Sequence, residues 1–99
     1  MEKALDADVI RLKRDEILKV AAKHGVRNVR IFGSVARGEG RSDSDVDFLV
    51  DAGPVTSPWF PGGLIVDLEA LLGKRVEVVT ERGLHPKLRN RVLGEAVPV

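Results

Sequence analysis

The sequence predicts a small domain mixing helices and strands, α+β or α/β, built on a short sheet. Three observations predict it. Short β-type runs occur at residues 29–32, 45–51 and 76–79, rich in the branched and aromatic residues that suit a pleated surface. Between and around them, apolar residues recur at helical spacing over 3–24, over 64–72 and after Pro86. Glycine and proline fall at the joints between these segments. The 99 residues are read as one domain spanning 1–99, burying roughly ~65% of the unfolded chain's surface in one modest core. A cleft walled on every side does not fit in such a chain, so a second subunit or partner can be needed to complete a binding face.

Residues 3–24 form the first helix. Leu5, Val9 and Leu12 keep helical spacing, as do Ile10, Ile17 and Ala21, with Lys and Arg between them. The stripe drifts around the axis, which suggests a break near Lys13. Gly25 suits the stop just past the helix. His24, in the last turn, is expected to face the negative end of the helix rather than to bind a ligand.

Residues 29–32 are the first strand. Residues 33–37 turn into a short helix, and Gly38 and Gly40 release it into a loop. Ser42, Asp43 and Ser44 are suited to local turn hydrogen bonds. The second strand, 45–51, places Asp45 and Asp47 on one face and Val46, Phe48 and Val50 on the other, in the core.

A loop over 53–63 carries Pro54, Pro58 and Pro61 with Trp59 and Phe60. Packing is the commoner role for such an aromatic pair; an exposed patch would mark a partner surface instead. In the helix 64–72, Leu64, Ile65, Leu68, Leu71 and Leu72 make one core stripe that Gly73 ends. The third strand, 76–79, turns Val76 and Val78 to one side and Glu77 to the other. Pro86 opens a last helix, with Leu88, Val92 and Leu93 expected inside and Lys87, Arg89 and Arg91 wet. Val97-Pro98-Val99 is extended, suited to pairing with an edge strand or docking on a partner.

The chemistry concentrates around residues 33–47. Asp45 and Asp47 on one strand face repel each other unless a cation lies between them, and a divalent metal with phosphate oxygens is the usual resolution. An exposed polar face is the plainer alternative for the pair taken alone. Gly33-Ser34 sits where a strand hands over to a helix, where unpaired N–H groups can hold phosphate. Arg37 can reach a bound triphosphate, or pair with an aspartate on the surface.

Gly33-Ser34, ten intervening residues and Asp45-x-Asp47 resemble the signature of the polymerase-β nucleotidyltransferase superfamily. Gly33-Ser34-x-Ala36-Arg37-Gly38 and Ser44-Asp45-Val46-Asp47 more narrowly resemble the minimal nucleotidyltransferases. The likeness runs from about the first helix to the last residue, through Leu71-Leu72-Gly73-Lys74-Arg75-Val76-Glu77-Val78-Val79-Thr80 and Glu95-Ala96-Val97-Pro98-Val99. It implies an α+β nucleotidyltransferase-fold core, with a short mixed sheet, carboxylates on one face and helices packed on the other. It implies transfer of AMP from ATP to a hydroxyl acceptor. Asp45, Asp47 and Glu77 would be the catalytic and metal-ligating carboxylates, holding two Mg²⁺ ions. The family more often has aspartate where Glu77 stands. Gly33, Ser34 and Arg37 would bind the nucleotide.

Many members are antitoxins that modify a tyrosine of a HEPN-domain RNase toxin, so the resemblance implies such a partner in a hetero-oligomer. Two other readings stay open: an antitoxin that acts by binding alone, and a nucleotidyltransferase for a small molecule.

Composition bounds the rest. Sixteen basic residues against fifteen acidic, a net charge of +1, argue against a general nucleic-acid or membrane binder. The basic run Arg82, Lys87, Arg89 and Arg91 reads as a solvated helix face. With no cysteine, disulfides and thiolate metal sites are excluded. No signal peptide or long apolar run is recognisable, so the cytoplasm is the expected location.

Overall fold

The computed structural model describes residues 5–99; Lys3 and Ala4, the expected start of the first helix, lie outside them. The elements in order are α1 (Ala7–Arg11), α2 (Arg14–Lys23), β1 (Val26–Phe32), α3 (Gly33–Ala36), β2 (Val46–Ala52), α4 (Gly62–Leu72), β3 (Val76–Thr80), α5 (Pro86–Glu95) and β4 (Val97–Pro98). The strands form one mixed sheet in the order β3-β2-β1-β4. β1 runs antiparallel to β2 and β4, and β2 runs parallel to β3, with α4 in the crossover.

The first helical segment is two helices. Asp6 caps α1 by accepting from the Val9 N–H at 3.0 Å, and the chain breaks at Leu12–Lys13, leaving Leu12 83% exposed. Leu5 is not helical: it bridges Gly40, its N–H donating to the Gly40 carbonyl at 2.8 Å. α2 carries Asp15 and Glu16 in its first turn and Lys23 in its last, complementing the helix dipole.

β1 begins at Val26, three residues before the expected start at Val29. The pairing of β1 with β2 shifts register between Arg27 and Arg30, where Asn28 takes φ 53°. This irregularity turns both Val26 and Val29 inward although they are three apart. It breaks the alternation by which a strand is recognised. β2 begins at Val46, so Asp45 stands just before the strand rather than inside it.

The main core fills one face of the sheet. Val46, Phe48 and Val50 of β2, Val29 and Ile31 of β1, and Val76 and Val78 of β3 pack with Ile17 and Ala21 of α2 and Leu64 and Leu68 of α4. His24, buried at the end of α2, ties this layer together. Its Nδ1 lies 2.6 Å from Ser57 Oγ and its Nε2 lies 2.6 Å from Asp67 Oδ2 of α4. The hydrogen bond from His24 holds the Asp67 carboxyl below the ordinary carboxylate value.

The opposite face holds Asp47, Leu49 and Asp51 of β2, Glu77 of β3 and Arg30 of β1. α5 leans on this face. Leu49 and Val92 are buried there, and Arg89 of α5 donates to Glu81 at 3.0 Å. Glu81 also lies 3.7 Å from Arg30, which donates to Asp51 at 2.9 Å. Val92 is thus the buried residue of α5 and Leu93 is half-buried, while Leu88, expected inside, is 51% exposed.

The packing expectation also fails for Trp59, which is 90% exposed at φ 65°. Only its neighbour Phe60 packs against the core. β4 pairs with β1, the edge-strand option for the last residues, and Val99 is buried. No described helix is long and apolar enough to cross a membrane.

Phe48 is fully buried at the centre of the sheet. Truncating it to alanine is expected to lower unfolding stability by about 3–5 kcal/mol, measured by urea titration. A loss below about 1 kcal/mol would contradict this account of the core.

Candidate active site

Sheet register builds the site. β2 pairs with β3 so that Asp47 lies beside Glu77, and with β1 so that Asp47 lies opposite Phe32. The residue after Phe32 is Gly33, at φ 76°, a conformation that favours glycine. A Cβ at Gly33 would collide with the Asp47 carboxylate. The strand-to-helix turn and the acidic strand end are therefore in direct contact.

Asp47 is half-buried, shares a hydrogen bond with Glu77, and its carboxyl is pushed up to about 7. Burial is the largest cause, followed by the hydrogen bond and charge of Glu77, then the charges of Asp45 and Glu95. Ser34 is half-buried in the first turn of α3. Arg37, at the end of α3, donates through Nη1 to Glu95 Oε2 at 2.9 Å and through Nε to Glu39 Oε2 at 3.1 Å. Its partners are glutamates, where the sequence suggested an aspartate or a phosphate.

Asp45 reaches the site only as a nearby charge. Its Oδ1 lies 3.2 Å from Arg75 Nε on the surface. Among the described residues no three acidic or histidine side chains stand in ready-made metal-holding geometry. The donor set nonetheless suits Mg²⁺. It is all carboxylate oxygen, as a hard divalent cation requires, and its central member resists ionising because it is partly buried and has other carboxylates beside it. Asp45 is free to join, because an exposed ion pair such as Asp45–Arg75 contributes only about 0–1 kcal/mol.

Sequence reasoning passed over Glu95 as a site residue. Its Oε1 accepts from the Gly33 N–H at 3.1 Å, in the cradle expected to hold phosphate. The signal available was the chain's end. If the last three residues pair with the strand that leads into Gly33, the residues just before them arrive at the turn.

The Asp47 carboxyl makes stability depend on pH. A folded-state value raised from 3.8 to about 7 means the native state keeps a proton the unfolded chain releases. The resulting stabilisation is full below about 3.8 and is lost as pH rises through about 7. In chelator, the wild type is expected to lose more Tm between pH 5 and pH 8 than Asp47→Asn, whose amide does not ionise. An equal change in both proteins, by calorimetry, would refute the raised value.

Comparison with known proteins shows the family. The nucleotidyltransferase domain family matches residues 14–99. Protein adenylyltransferase MntA of Thermococcus cleftensis is 44% identical over 77 residues, covering 78% of each chain. A solved structure described as a candidate minimal nucleotidyltransferase superposes with TM-score 0.81 at 48% identity, covering 95% of this chain and 96% of that one. A toxin–antitoxin structure with AMP-PNP shares the fold, with TM-score 0.72 at 22% identity over 85% of this chain and 69% of that one. With its glycine turn set against a pair of strand carboxylates, the chain belongs to the nucleotidyltransferase domain family and is an enzyme of that class.

Proposed function

We propose that this enzyme transfers AMP from ATP to a hydroxyl acceptor, a tyrosine of a cognate HEPN-family RNase toxin, and acts as the antitoxin to that toxin. One observation carries the proposal: the Asp47 carboxylate is set between its register partner Glu77 and the Gly33 turn. Triphosphate and reacting hydroxyl would meet at that junction. The name of the MntA relative and the nucleotide-bearing toxin–antitoxin neighbour support the acceptor class and the partner.

The acceptor oxygen attacks the α-phosphorus, the bond from that phosphorus to the bridging oxygen breaks, and pyrophosphate leaves. The chain's work is alignment and charge compensation. The Gly33 N–H, the Ser34 hydroxyl and the Arg37 guanidinium hold the β- and γ-phosphates. Glu77, the more exposed of the paired carboxylates, is open to an incoming hydroxyl and can accept its proton. Asp45, Asp47 and Glu77 would hold two Mg²⁺ ions, which when bound neutralise the triphosphate and activate the acceptor. Direct transfer suffices, because the sequence has no cysteine or tyrosine nucleophile.

Incubation with the toxin encoded beside it, ATP and Mg²⁺ is expected to add AMP to the toxin, seen by intact-mass spectrometry. Asp45→Asn combined with Asp47→Asn is expected to abolish the addition. Undiminished transfer by that double variant would overturn the assignment. If the double variant still protects cells, binding alone accounts for neutralisation.

Gly33→Ala drives a methyl group into Asp47 and is expected to lower kcat/KM for ATP by about 10²-fold, the scale of a lost oriented donor. A fall below about threefold would exclude the turn from the nucleotide site.

A further inference from the structure

Glu95 is the last residue of α5, a position where the helix dipole disfavours a carboxylate. What holds it comes from outside the helix. One oxygen accepts from the Gly33 N–H at 3.1 Å and the other from Arg37 Nη1 at 2.9 Å. The side chain is 18% exposed. These are two of the donors that the proposed function assigns to the triphosphate.

The placement follows from register. β4 runs antiparallel to β1 with Ile31 opposite Val97 and Arg30 opposite Pro98, and the Val99 N–H donates to the Val29 carbonyl at 3.1 Å. Continuing that register by two residues sets Gly33 opposite Glu95. The tail is fixed from the other side as well. Arg11 donates to the Pro98 carbonyl at 2.7 Å, and Arg14 to the Val99 carbonyl at 3.0 Å. Glu95 is therefore delivered to the turn by a strand held at several points.

A carboxylate and a phosphate make the same demand on a backbone N–H and a guanidinium: two negative oxygens taking charge-assisted hydrogen bonds. They cannot occupy the same donors together, and they repel each other.

We propose that Glu95 is an internal competitor for the phosphate cradle, filling it in the ligand-free enzyme and leaving it when the triphosphate tail arrives. This rests on the reading of Gly33 and Arg37 as phosphate donors. The resting carboxylate keeps both donors oriented and satisfied. Its displacement lowers the affinity for a triphosphate tail and leaves AMP, which lacks the β- and γ-phosphates, unaffected. Glu95 thereby tunes the affinity for a triphosphate tail, without touching the reacting atoms.

The test measures binding of ATP, AMP and inorganic triphosphate, each with Mg²⁺, to the full chain and to Glu95→Ala and Glu95→Gln, by calorimetry. Thermal melts confirm that each variant folds. Glu95→Ala is expected to bind ATP and inorganic triphosphate about tenfold tighter, a step comparable to one charge-assisted hydrogen bond. KM for ATP falls with it and kcat stays within about twofold. Glu95→Gln, isosteric but uncharged, falls between the two.

Unchanged or weaker triphosphate binding in Glu95→Ala overturns the proposal, as does the absence of triphosphate binding in all three proteins. Should Glu95→Ala tighten triphosphate binding while no protein transfers AMP, the competitor role stands and the proposed reaction fails. If AMP transfer occurs and triphosphate affinity is insensitive to Glu95, the reaction stands and the competitor role fails.

Discussion

Two carboxylates held side by side are the constraint on which this molecule depends. The parallel pairing of β2 with β3 places Asp47 against Glu77, and burial adds to the cost of ionising both. A protein selected for stability alone would not retain such a pair, since a hydrogen-bonding neutral residue would relieve the repulsion at once. The pair is the acidic centre on which the proposed reaction rests.

The hydrophobic core enforces that arrangement. Val46, Phe48, Val50, Val76 and Val78 all point into the layer beneath α2 and α4. Because side chains alternate, a slip of one residue in β2 would expose three buried apolar groups and bury Asp47. The core therefore sets the register, and the register sets the carboxylates. The site's geometry is held by packing on the far side of the sheet, and the repulsion is a local cost borne by that packing.

α5 touches the carboxylate face at its two ends, through Arg89 on Glu81 and Glu95 on the Gly33 N–H, and β4 pairs with β1 at the sheet edge. The ion-pair chain from Arg89 through Glu81 and Arg30 to Asp51 anchors the start of the helix. The tail pairing with β1 anchors the segment after it. Between the two anchors lies Glu95, so the placement of its carboxylate at the Gly33 turn is distributed over both. The exposed Trp59, on the loop before α4, has no share in this construction: it stands clear of the core at φ 65°.

Much of this was readable from the chain itself. The helices, the three longer strands and the burial of Phe48 and Leu64 follow from periodicity, because the alternation and the helical stripe report one-sided burial directly. Gly33-Ser34 and Asp45-x-Asp47 carried the family, because their spacing is set by a single strand-turn-strand unit that lies within local sequence. Other features needed the assembled sheet. The shift at Asn28 hid the start of β1, since one extra residue cancels the alternation that marks a strand. Asp45 pairs with Arg75 and Glu95 meets the Gly33 turn through contacts between segments distant in sequence, and the exposure of Leu88 depends on how α5 is placed. Side-chain type and spacing determine which faces are buried. Which charged groups meet is decided only when non-adjacent strands fix their register, because the contact distances of ion pairs depend on that register and leave no period in the sequence.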